Sequence, residues 1–223
     1  MLAPPVLWRT SSRARRIILR LDIHKRAIVI TLPAGVTRQQ GMRFLQSQSQ
    51  WVAQALEELP RSAMEQGEIW LEGTPTPILP TTEMDGRTRL TEAGLHIGHP
   101  PEEHSRYLHS FLKRRAETVF PPLFQQQSAR MQANPAKLSL RDVKSRWGSC
   151  TRQGRIMLSW RLIMAPSDIY TYVMVHELAH LSHFNHGPDF WALVDQYAPG
   201  GGQGRRKAEK WLTQNGAHLL AMI

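Results

Sequence analysis

The chain lacks the features that would place it in several large protein classes. A single cysteine, Cys150, stands among 223 residues, so no internal disulfide framework exists and the composition fits a reducing compartment. No run of roughly 18 apolar residues occurs, which excludes an ordinary membrane-spanning helix. Met1 to Arg16 has only short apolar stretches before its arginines, without the apolar core of about seven to fifteen residues that a secretory leader requires. A cytoplasmic protein is expected. Acidic residues are scarce: 18 Asp and Glu face 28 Lys and Arg, giving a net charge of +10. That balance points to anionic partners, whether nucleic acid, nucleotide phosphates or acidic proteins. Yet no Gly-rich phosphate loop, nucleic-acid-binding motif or internal repeat accompanies it. The 41% apolar content suffices to bury a core.

Against these absences stands His176-Glu177-Leu178-Ala179-His180, with His186 six residues further on. Residues four apart share one face of a helix, so both imidazoles can reach one ion. Glu177, one step round, can hold a metal-bound water as general base. Three imidazoles and an open fourth position form the catalytic rather than the structural zinc pattern. Composition alone yields about 0.02 expected matches to His-Glu-x-x-His, so chance is a poor account of it. Phe184-Asn185-His186-Gly187-Pro188 is a turn sequence that should end the helix near His183 and fold His186 back. Pro188 suits the first position of a new helix, with Asp189 at its positive end. The same six-residue step occurs in metzincins, but their midway glycine is here His183, which is read as an outer-layer or solvent residue.

The rest of the chain reads as α+β. Residues 15–32 alternate apolar and polar, with Ile17, Leu19, Leu21 and Ile23 on one face. With Lys25-Arg26 as the turn, they predict an antiparallel hairpin. A helix follows from about Arg38 to Leu59, and short strands and turns span Glu68 to Ile97. Pro100-Pro101 marks the expected boundary between a β-rich subdomain with one helix (residues 1–100) and a catalytic domain (residues 101–223). Glu102 to Phe120 is amphipathic, and Pro121-Pro122 should kink or restart that helix. Strands are expected at Lys137 to Asp142 and Gly154 to Trp160, then a helix capped by Ser167 or Asp168 that carries His176 and His180. Helices at about Pro188 to Tyr197 and from Gln203 onward complete the chain. Trp147 and Gly148 are read as a turn behind the catalytic helix, and Cys150 as a small buried residue.

Several of these segments resemble the YgjP-like metallopeptidase family, related to the WLM and SprT-like groups within the zincins. The resemblance rests on Arg146-Trp147-Gly148-Ser149-Cys150, on Ile156 to Ile163 and Pro166, on Tyr172-Val173-Met174-Val175 leading into the His-Glu motif, and on Asn185-His186-Gly187 and Phe190-Trp191. Weaker similarity reaches the arginine-rich strand near Arg15 and the helix containing Trp51. The resemblance implies a zincin-like catalytic domain with a short sheet and a metal-binding helix, His176, His180 and His186 as zinc ligands, and Glu177 as base. Gly187 stands where a serine is common.

The expected activity is zinc-dependent hydrolysis of peptide bonds, the peptide pairing with a strand such as Arg155 to Ser159. Tyr197 is a candidate donor to the oxyanion. An alternative, also implied by the resemblance, is a metal-dependent nucleoside triphosphate (UTP) pyrophosphatase, with Arg146, Arg152 and Arg161 neutralising phosphate. A third is a DNA-associated, SprT-like protease gripping phosphates through its basic surface.

Overall fold

In a computed structural model, which describes residues 5–23, 27–57, 60–79, 84–143 and 145–223, the chain is a mixed α+β protein. It divides into two compact units, Met1–Arg61 and Ser62–Ile223.

The first unit opens with β1 (Val6–Ser11), β2 (Ile18–Asp22) and β3 (Ala27–Pro33). β3 is central, parallel to β1 and antiparallel to β2, with Leu19 opposite Ile30 and Leu21 opposite Ile28. The expected β2–β3 pairing is therefore present, while its turn at Lys25-Arg26 falls outside the described residues. β1 has no counterpart in the sequence reading. The expected single helix is two, α1 (Arg38–Ser47) and α2 (Ser49–Glu57), broken at Gln48. Just before the break, the Ser47 hydroxyl donates to the Phe44 carbonyl at 2.8 Å, the local side-chain bond by which serine competes with helical pairing. Ile28, Ile30 and Leu32 form the small core, with Trp8, Leu45 and Val52 against it.

The second unit begins with a short helix, α3 (Ala63–Gln66), then β4 (Glu68–Leu71), β5 (Thr74–Leu79), β6 (Thr88–Leu90) and β7 (Leu95–Ile97) in the order β4-β5-β7-β6. Ile69, Leu71, Leu95 and Ile97 share one core with Leu108, Leu112 and Ile169. Pro100 and Pro101 thus lie within this unit, at the turn into α4 (His104–Arg130). The helix does not restart at the prolines: α4 runs as one element through Pro121 and Pro122. Leu108, Leu112, Ala116, Phe120 and Phe124 recur every four residues and are all buried. That stripe spans both prolines, so its burial outweighs the lost backbone hydrogen bonds.

β8 (Lys137–Arg141), β9 (Gly148–Cys150) and β10 (Arg155–Ser159) form a second sheet in the order β8-β10-β9. β10 lies between two neighbours and has no free edge, so a peptide cannot add to it as expected. β9 is the edge. Ser159 N–H donates to Trp147 O and Thr151 N–H to Arg155 O, so antiparallel alternation leaves the main-chain groups of Gly148 and Cys150 on the open side.

Three helices follow: α5 (Ser167–Ala179), α6 (Pro188–Tyr197) and α7 (Gly201–Ala221). Residues Ile169 to Val175 of α5 are all buried, because α4, α6, α7, β9 and β10 surround it; a helix apolar on every side belongs in a core. Its N-cap is Pro166, with no side-chain cap, so the expected Ser167 or Asp168 cap is not formed. Asp168 instead sits in the first turn, where the helix dipole favours its charge.

Candidate active site

The regular part of α5 stops at Ala179 and His180 is its C-cap. Turns then carry the chain through His183, whose N–H bonds to Ala179 O, and on to His186. Gly187 is the extended N-cap of α6, Pro188 opens that helix and Asp189 lies in its first turn. This reversal brings His186 back over α5, as expected. Candidate ligand atoms of His176, His180 and His186 all lie within 4.8 Å of one another. The His176 and His186 Nε2 atoms are 3.3 Å apart. Two donors at about 2.05 Å from a tetrahedral zinc would be about 3.3 Å apart, so this pair fits the ion.

Two of the other ring nitrogens, on His176 and His180, have partners outside the cluster. His180 Nδ1 lies 3.0 Å from the His183 carbonyl, which can only accept, so Nδ1 carries the proton and Nε2 keeps its lone pair. His183 thus serves through its backbone. Tyr172 OH donates to Glu209 Oε1 at 3.1 Å and can accept from His176 Nδ1 at 3.5 Å. Arg205 holds Glu209 at 3.2 and 3.3 Å and Asp195 at 2.5 Å, with its guanidinium 4.6 Å from the Trp191 ring. Phe190, fully buried, lies beneath all three imidazoles, with ring centroids 4.6 to 5.0 Å away. Burial and the neighbouring His180 and His186 push His176 down to about 4. Burial also lowers His180, against the opposing bond to His183 O. Both rings therefore stay neutral near pH 7, the form that coordinates metal.

Glu177 is only 6% exposed, and burial raises its carboxyl to about 7, with Arg146 pulling the other way. Gly148 passes directly against it: a Cβ there would come within 2.6 Å of Glu177 Cγ and 2.7 Å of Cδ. Glycine is thus required where β9 touches the acid, a more specific role than the turn expected from sequence. Two hollows meet at His176 and Glu177. A groove of about 340 Å³ runs past Gly148, Ser149, Cys150, Phe184 and the three histidines. A smaller hollow of about 190 Å³ is lined by Trp147, Tyr172, Val173 and Leu212.

Other expected participants lie elsewhere or act differently. Tyr197 packs against the hydrophobic core and lines neither hollow. Arg161 is fully buried and paired with Asp142 at 2.7 Å, so it cannot receive a triphosphate as expected. Arg146 and Arg152 are exposed. Cys150 lines the groove but is not in the three-histidine cluster; burial and Glu177 push its thiol up. The sequence reading missed Glu209, Asp195 and the pairing role of Arg205. The motif itself offers no signal for them, since 37 positions separate Tyr172 from Glu209.

A family model described as YgjP-like, metallopeptidase domain, matches residues 15–215. No curated protein matches the chain. Among solved structures, the chain is similar to the metallopeptidase zymogen abylysin of Pyrococcus abyssi, at 20% identity and a TM-score of 0.37, over 42% of this chain and 91% of that one.

Proposed function

Because the chain belongs to the YgjP-like metallopeptidase family, we propose that it is a zinc-dependent peptidase in which His176, His180 and His186 hold the ion and Glu177 is the general base. The carrying observation is the convergence of three imidazoles, with two Nδ1 atoms directed to partners outside the cluster. Three nitrogen donors suit zinc. Zinc, when bound there, supplies Lewis acidity and makes water a nucleophile at neutral pH.

Glu177 accepts the proton of the attacking water and returns it to the leaving amine, work suited to a carboxyl raised to about 7. Its place against Gly148 limits its freedom to swing away. An extended substrate is held along the open edge of β9, where the Gly148 and Cys150 main-chain groups point outward. Residues Ser62–Ile223 form the catalytic unit, and the protein works in the cytoplasm. No helix among the described residues is long and apolar enough to cross a membrane.

The test is to assay the purified protein and its Glu177→Gln variant, each with zinc, against casein and against UTP. Casein cleavage lost in the variant is expected. Pyrophosphate release from UTP without casein cleavage overturns the peptidase assignment.

A further inference from the structure

Met1–Arg61 holds ten Lys and Arg against three Asp and Glu, so this unit carries +7 of the net +10; Ser62–Ile223 holds eighteen against fifteen. The charge that marked the whole chain is therefore concentrated in the smaller unit. In this unit a groove of about 340 Å³, of mixed polar and apolar lining, is formed by Arg16, Ile17, Ile18 and Leu19 together with Phe44, Gln48 and Trp51. Ile18 and Trp51 are 44% and 40% exposed. β2 is an edge strand, so one side of its main chain is unpaired by any strand among the described residues. Arg13, Arg15, Arg16 and Arg20 are all exposed.

We propose that this groove captures an extended, acidic segment of polypeptide, added as a strand to the β2 edge. Its apolar side chains rest on Ile18 and Trp51, and its carboxylates meet Arg16 and the exposed arginines beside it in the same segment. A row of free main-chain donors and acceptors is matched by another strand. A single-stranded nucleic acid has no such row with which to match the β2 edge. The positive field selects acidic over basic segments and speeds capture. That the captured polypeptide is a substrate rests on the peptidase reading; the binding itself does not.

Fluorescence anisotropy tests this on the full chain carrying Glu177→Gln, which leaves the probe uncut. The probe is a fluorescein-labelled ten-residue peptide of alternating glutamate and valine. Its binding should weaken with salt, and about tenfold with either Arg16→Glu or Trp51→Ala; circular dichroism checks that these surface variants keep the fold. A lysine–valine peptide should bind at least tenfold more weakly. Three outcomes overturn the proposal: no binding of the glutamate–valine peptide, binding indifferent to both substitutions, or tighter binding of oligo(dT) lost in the same variants, which would make the groove a nucleic-acid site. If casein is never cut but the peptide still binds with this dependence, the peptidase reading falls and the capture surface stands. If casein is cut and the peptide is not bound, the reverse holds.

Discussion

His176 and His186 bring their Nε2 atoms within 3.3 Å of each other, yet one comes from a buried helix and the other from an exposed turn. On the deep side, His176 is backed by Tyr172, Glu209, Arg205 and Asp195, and Glu177 by Gly148. On the rim, His180 has a backbone carbonyl as its partner, and His186 is placed by the turn and by Phe190 and Trp191. The deep half is held by side chains from three separate segments, whereas the rim half depends on the local course of the chain. A site built this way keeps its catalytic acid and one ligand rigid while a short turn completes the set.

The strongest way to separate the halves is Glu177→Gln. It should lower kcat on peptide about 10³-fold while zinc content stays at one per chain. Loss of zinc as well would make Glu177 a support for the ligands rather than the base.

Next in size is a pH effect on the metal-free protein. The fold favours the neutral acid of Glu177, whose pKa rises from 4.5 to about 7. Its contribution to stability is therefore full below 4.5 and is lost as pH rises through about 7. Glu177→Gln removes that dependence. The stability difference, variant minus wild type, should grow by about 3 kcal/mol from below pH 4.5 to pH 8, read by denaturant unfolding. His176, lowered to about 4, runs the opposite way, losing stability as pH falls from 6.5, but it is common to both proteins and cancels. A pH-independent difference would show that Glu177 is not held neutral by burial.

Glu209→Gln should weaken zinc about 10- to 100-fold by equilibrium dialysis, through loss of the charge behind Tyr172. Smallest of all, His183→Ala should change zinc affinity by less than about threefold, since its carbonyl and not its ring meets His180. Equal losses from these two substitutions would erase the contrast between deep side and rim.

The four residues proposed to act were legible because their relations are local. A four-residue helical step and a Gly-Pro turn fix where His176, His180 and His186 can point. The strands β2, β3, β8 and β10 were legible through alternation. β9, only three residues long, has too few positions to alternate, and its place at the sheet edge depends on β10 lying between two partners. Pro121 and Pro122 do not restart the helix, because tertiary burial along α4 overrides a local rule. Glu209 carries no local mark at all: a lone acid on an ordinary helix gains meaning only when α7 packs beside α5.

Arg161 gives that packing a further consequence. Its buried guanidinium joins Asp142 to the carbonyls of Leu219 and Ile223, at 3.4 and 3.2 Å, while Arg205 and Glu209 tie the other end of α7 to Asp195 and Tyr172. A helix pinned at both ends does not fray on its own, so its central amides should exchange hydrogen only when the whole unit opens. Stripping the ion would then leave the deep half of the site standing, and the ion would return to a cradle already folded.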